Sequence, residues 1–365
     1  HKVLAAIQVR TWRAKLAAET ITAAMLLAPD DPDLLLSAGE IYAHLGNHAQ
    51  AIRPLHRLID LHPRNPPAQA LLVQAYLRSG QHDRGIAELE SAVRPQDRTS
   101  AEVLLLADLY DAKGDSQTAD KLYQQTLHAE DQSSEAFVRY LRFLARRQRL
   151  EDLQTLAARR RETNPGDAAS ILAAAEILAA NSPAAEQRKL GFDWADQLLA
   201  RRPDLAWEIN FRMGLCHYAQ RNLVDAETML LKATTLSPNS PQPVNALAWM
   251  YSEDHEQPER ALKLLDEFIA RGGEQSSEML DTHAAALLRL GRLQPAREKL
   301  TQCLASAGQT STLAGATFRM GLLDLRANNT ADGRTYLRQA LELSDRLGGL
   351  NDKEIAEAKR LLSGS

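Results

Sequence analysis

Apolar residues recur along this chain at helical spacing, in short blocks separated by polar turns. In the segment 32–63, Leu35, Ala38, Gly39 and Tyr42 fall on one face of a helix. Gly46 follows, a residue suited to the left-handed backbone that ends helices. Ala51, Leu55 and Leu58 then mark the face of a second helix, and Pro63 closes the segment because proline cannot continue a helix. Gly39 and Ala51 are small enough to let the two helices approach closely. The pattern predicts a helical hairpin.

The hairpin recurs. Gly46, Gly80 and Gly114 are 34 residues apart, as are Tyr42, Tyr76 and Tyr110, and Ala51, Gly85 and Ala119. Three columns sharing one period are the signature of a repeat architecture. Further along, the pattern decays. Ser134 to Pro165 keeps Tyr140 and Leu144 but loses the small residue and the glycine. Trp207 to Pro238 keeps Gly214, Ala226 and Ala233; Pro241 onward keeps Leu247, Ala248 and Tyr251, with an insertion around Asp254–Gln257. Ala284, Gly291 and Ala296, then Gly321 and Ala340, continue the columns. The segment 167–203 fits worst, is interrupted by Asn181-Ser182-Pro183, and predicts an elongated second helix.

This order of small residue, aromatic, glycine, alanine and proline resembles the tetratricopeptide repeat (TPR). The resemblance implies an all-α fold, a right-handed α-solenoid of about ten TPR helix–turn–helix repeats with a C-terminal capping helix. The expected layout is a single superhelix over 1–365. It comprises a degenerate first repeat at 1–31, in which Ala17, Ile21, Ala24 and Pro29 match a second helix, and three regular repeats at 32–133. Divergent repeats follow at 134–206, with the elongated unit near 167–203, then four repeats at 207–348 and a capping helix at 349–365. Asn351 or Asp352 is positioned to cap that last helix, whose polar side suits the end of a stack.

Composition agrees with helix: alanine, leucine and arginine are abundant and β-branched residues sparse. A net charge of −4 over 365 residues gives no sign of a nucleic-acid partner. No apolar run reaches the length of about 18 residues that spans a membrane. Residue 1 is His1 and the chain ends Leu-Ser-Gly-Ser, so either an excised segment or added residues at one end is expected.

A search for chemistry finds none of the phosphate-loop, dinucleotide, HExxH or GxSxG motifs. His44 and His48 flank the turn at Gly46 and do not share a helical face. His283 falls at a packing position and Cys303 in the column of Ala233 and Ala340, so both read as core residues, and Cys216 reads similarly. No enzyme activity, cofactor or metal is expected.

The family resemblance places the first helix of each unit on the inner wall of the superhelix. It implies groove-facing residues at Glu40, Gln74, Arg78, Asp108 and Asp111 in the early units and Arg139, Arg142 and Arg146 in the fourth. Later units contribute Phe211, Arg212, Tyr218, Asn245, Trp249, Asp281, Arg289, Phe318, Arg319 and Arg326. The three arginines of the fourth unit suit a carboxylate-bearing segment, the alternative being a solvated helix face. Phe211, Tyr218, Trp249 and Phe318 suit a peptide strip, the alternative being packing between hairpins. The lysine–asparagine clamp with which some relatives hold chaperone tails is missing, Leu36 and Glu40 standing in its place.

The implied role is a non-catalytic scaffold that binds a protein or peptide ligand in its groove. Asn245-Ala-Leu-Ala-Trp249, with Leu280-Asp281-Thr282 and Leu290-Gly291-Arg292-Leu293, is similar to repeats of bacterial envelope-associated proteins of exosortase and exopolysaccharide-secretion type. That favours assembly of an envelope or secretion complex and a periplasmic or membrane-associated location over the cytoplasm. The alternatives are a regulatory or substrate-recruiting arm of a larger enzyme, of glycosyltransferase or kinase type, and self-association into a homo-oligomer.

Overall fold

A computed structural model describes residues 14–63, 65–92, 94–127, 133–308 and 310–363. Among them are 20 α-helices, two single 3₁₀ turns and no strand. Residues 1–13 of the expected degenerate first repeat and the last residues 364–365 lie outside the described residues.

The leading helix α1 (Ala14–Leu27) is followed by hairpins in which a first (A) helix turns into a second (B) helix. These are α2 and α3 (Pro32–His44, His48–Leu61), α4 and α5 (Pro66–Ser79, His82–Ala92), and α6 and α7 (Ser100–Lys113, Ser116–Leu127). Then come α8 and α9 (Ser134–Arg146, Leu150–Thr163), α10 and α11 (Ala168–Asn181, Ala185–Arg201), and α12 and α13 (Ala206–Ala219, Leu223–Leu236). The last hairpins are α14 and α15 (Pro241–Glu253, Pro258–Ala270), α16 and α17 (Ser277–Arg289, Leu293–Ser306), and α18 and α19 (Ser311–Arg326, Thr330–Leu347), before the final helix α20 (Asp352–Ser363).

Two compact units emerge. One comprises residues 1–75 together with 239–365, the other residues 76–238. Within the second, a continuous core runs from Leu104 through Tyr123, Phe137, Leu153 and Leu178 to Met213. In the first, Phe318, Leu337, Ala340 and Ala358 join α18, α19 and α20. Asn351 caps α20: its Oδ1 accepts from the backbone N–H of Lys353 and Glu354, while Glu354 accepts the N–H of Asn351.

In seven of the nine described hairpins the A-to-B turn keeps one conformation whatever residue occupies it. Gly46, Gly80, Gly114 and Gly291 sit at φ between 68° and 95°. Where the glycine column decays, Gln148, Arg221 and Asn328 take its place at φ 59°, 61° and 65°. A side chain there costs on the order of 1 kcal/mol, which the packing of the two flanking helices offsets.

Small residues set how close A and B come. A Cβ on Gly39 would stand 2.4 Å from Leu55 Cδ2, and one on Gly191 would stand 2.6 Å from both the Ala175 carbonyl oxygen and the Ala179 backbone nitrogen. Helix α11 therefore lies directly against the backbone of the alanine-rich α10. It is also 17 residues long, against 14 in α9 and α13.

Because backbone atoms cannot rotate aside as the Leu55 side chain can, Gly191→Ala is expected to lower stability. The cost is about 1–3 kcal/mol, larger than the helix-propensity gain of roughly 0.5–1 kcal/mol from replacing glycine. Urea unfolding followed by circular dichroism measures it; an unchanged or raised midpoint would contradict the close approach.

Candidate functional site

The A helices carry most of the residues expected to meet a partner, and in both units their charges first meet one another. In the unit 76–238, Arg139 of α8 donates through Nη1 to Asp108 of α6 at 2.6 Å and through Nη2 to Glu135 at 2.6 Å. Asp108 also accepts from the Tyr123 hydroxyl at 2.5 Å. Asp111 accepts from Arg146 at 2.6 Å and from Arg147 at 2.5 Å. Arg212 of α12 reaches Glu176 of α10 at 2.9 Å and Glu208 on its own helix at 2.6 Å. Arg142 is exposed and has no ion-pair partner among the described residues. Phe211 and Tyr218 are partly exposed on α12.

The other unit repeats the arrangement. Arg289 of α16 makes a two-pronged pair with Glu253 of α14, at 2.8 and 3.0 Å. Arg326 of α18 donates to the Leu288 carbonyl at 2.7 Å. The partners of these inter-helix bonds are 31 to 38 residues apart in sequence, close to the repeat period. They form a ladder of repeat-to-repeat ties, each rung worth about 0.2–1 kcal/mol where exposed.

Asp281 and Arg319, expected at the groove surface, lie inside. They are 8% and 6% exposed. Arg319 Nη1 donates to both carboxylate oxygens of Asp281, at 3.2 and 3.1 Å, and Nη2 donates to Glu354 of α20 at 3.1 Å. The Arg319 guanidinium lies 4.9 Å from the centre of the half-buried Trp249 ring. Gly315 leaves room for this cation, since a Cβ there would stand 2.7 Å from Arg319 Nη1. The expected groove position is closed because Arg319 bridges inward, pairing with Asp281 of α16 on one side and Glu354 of α20 on the other. Phe318 is likewise core, 2% exposed. Asn245 is partly exposed, and its Oδ1 is buried without a hydrogen-bond partner among the described residues.

Burial raises the Asp281 carboxyl to about 6, against the pull of Arg319, and Glu354, Glu253 and Glu278 add to the rise. Burial disfavours the Arg319 charge, yet Asp281 and Glu354 hold it above its ordinary value. His283 is buried and held neutral, its value lowered to about 4 by burial and then by Lys299. Cys303 is buried with its thiol 3.2 Å from the Ser277 carbonyl, and burial raises the Cys216 thiol to about 12. No group of three or more metal-ligating side chains occurs among the described residues. No helix among them is long and apolar enough to cross a membrane.

One tetratricopeptide-repeat family model matches residues 46–109, and a second matches residues 13–66 and 195–241. The chain contains tetratricopeptide repeats. No curated protein matches the sequence. Among solved structures it is similar to the Cut9–Hcn1 hetero-tetramer of APC/C, at 14% identity over 99% of this chain and 81% of that one, with a TM-score of 0.44. It is also similar to yeast Tom70, at 16% identity over 99% of this chain and 88% of that one, with a TM-score of 0.40. The finer likeness to envelope-associated repeat proteins rests on the sequence blocks alone.

The tetratricopeptide columns locate Arg139, Arg142, Arg146 and Arg212 on A helices, but they do not reveal which acids those arginines meet. Arg147, the second guanidinium on Asp111, escaped sequence reasoning because it falls just past the end of α8.

Removing the guanidinium in Arg319→Met leaves the buried Asp281 and the partly buried Glu354 without their counter-charge. The expected cost near neutral pH is about 3–5 kcal/mol. Asp281 is raised above its ordinary value, so its contribution to stability is present below about pH 4 and is lost as pH rises through about 6. Without Arg319 that rise grows, so the loss of stability should shrink as the pH is lowered from neutral toward about 4. Thermal melts across that range check it; a pH-independent loss would contradict the buried pairing.

Proposed function

We propose that the chain is a non-catalytic scaffold whose A-helix faces take up a protein or peptide partner during assembly of a multiprotein complex. The observation that carries this reading is the division of labour on those faces. Arg139, Arg146 and Arg212 are tied to acids of their own or a neighbouring repeat, which makes the surface rigid. Arg142 stands exposed on the same helix as Arg139 and Arg146. Its forked guanidinium suits a carboxylate side chain or a chain terminus.

Phe211 and Tyr218 add partly exposed rings on α12 of the same unit. Rigid aromatic and arginine anchors are the residue types that dominate binding energy at interfaces. Pre-tying the neighbouring arginines lowers the ordering cost of binding. The blocks around Asn245–Trp249 and Leu290–Leu293 favour an envelope or secretion complex, with a periplasmic or membrane-associated setting.

A photo-crosslinking residue in place of Arg142 should give a discrete adduct with a polypeptide in extracts of the source organism. The same residue in place of the exposed Arg338, on the B helix α19, should give none. Arg142→Glu should weaken capture of that polypeptide several-fold without shifting the helical melt, since a rim charge acts on association more than on folding. Equal crosslinking at both positions, or capture unaffected by Arg142→Glu, would remove the A face from the account.

A further inference from the structure

The second helices α9 and α11 of consecutive hairpins enclose an open cleft of about 560 Å³, lined by Glu151, Gln154, Thr155, Glu186, Gln187 and Leu190. Gln187 donates to Gln154 across it at 3.5 Å. Farther along the same two helices, Arg161 donates to Gln197 at 2.6 Å, and its guanidinium lies 4.3 Å from the centre of the buried Trp194 ring. Arg201 follows at the end of α11 and is close enough to weigh against the Arg161 charge, second to burial.

The charges here behave unlike those of the A helices. Glu151 and Glu186 line the cleft, Arg161 and Arg201 lie beyond it toward the C-terminal ends of the same two helices, and none of the four has an ion-pair partner among the described residues. Glu162, next along the chain, is the carboxylate that supports the Arg161 charge. The guanidinium of Arg161 is held in place by an aromatic face and an amide, which leaves its charge unneutralised. Between the two ends, Gln154, Thr155 and Gln187 offer uncharged hydrogen-bonding groups.

We propose that this cleft, together with the Arg161 and Arg201 ends of the same two helices, is a second docking surface, on the B-helix side, for a polypeptide segment of complementary charge order. A carboxylate side chain meets Arg161 and Arg201, and a basic side chain meets Glu151 and Glu186. Ten residues of α9 separate Glu151 from Arg161, roughly 15 Å at 1.5 Å per residue. An extended segment of about five residues covers that distance, and a helical one needs about ten. Opposed charges at both ends fix the direction in which the segment lies, and fixing register is the main service of such charges at an interface.

The test uses the full chain and three fluorescent peptides of about 12 residues, enough for a helical span. One carries a glutamate block and a lysine block, one only glutamate among its charges, and one only lysine. Anisotropy titrations at low ionic strength should show the two-block peptide binding about fivefold tighter than either other, from the roughly 1 kcal/mol that the missing end supplies. The substitution Arg201→Glu, at an exposed position that spares the Trp194 contact, should bring the two-block peptide down to the level of the lysine peptide. Arg142→Glu should leave it unchanged, which separates this cleft from the A face. Equal binding of all three peptides, no binding of any, insensitivity to Arg201→Glu, or loss on Arg142→Glu would each overturn the proposal.

Discussion

The structure depends on how closely the two helices of each hairpin approach. At Gly39 the neighbouring Leu55 fills the space where a side chain would begin, and Gly214 against Leu230 and Gly321 against Leu337 repeat the contact. In the hairpin of α10 and α11 the approach is closer still, backbone to backbone at Gly191. Small residues at these points fix the spacing of A and B and hence the shape each hairpin offers to the next. The αL turn between A and B serves the same geometry, which explains why it persists where glycine has been replaced.

Stacking hairpins at this spacing brings the A helices side by side, so that an acid on one repeat meets a guanidinium about one period later. Asp108, Asp111, Glu176 and Glu253 all take such partners. Part of the charge on these helices is therefore self-neutralised, while Arg142, like Glu40 and Arg78, is exposed. At the C-terminal end the ladder turns inward: Arg319 joins α16, α18 and α20 in one buried network. A buried pair of this kind contributes less to net stability than to specifying which helix packs where, here the seating of α20.

Much of this was legible in the sequence because the repeat writes its own ruler. Three columns 34 residues apart give the hairpins, and Pro63 and Gly46 mark ends and turns that the structure has at those places. His283 and Cys303 were legible as core from their columns. Three features were not. The left-handed turns at Gln148, Arg221 and Asn328 carry no residue-type signal and follow only from register. The inward turn of Arg319 involves Glu354 of α20, a neighbour outside its own repeat. The charge-segregated cleft of α9 and α11 depends on which B-helix faces meet, and α11 departs from the period that would have aligned them.

Within the unit 76–238, contacts between each hairpin and its immediate neighbours hold the structure, as expected of repeats stacked in sequence order. Amide hydrogen exchange of Leu153→Ala tests it most directly, because Leu153 of α9 is fully buried in the core of the unit 76–238. Protection should fall most in α8 to α11 and least in α6 and α13, within that same unit. A uniform loss from α6 to α13 would contradict the account.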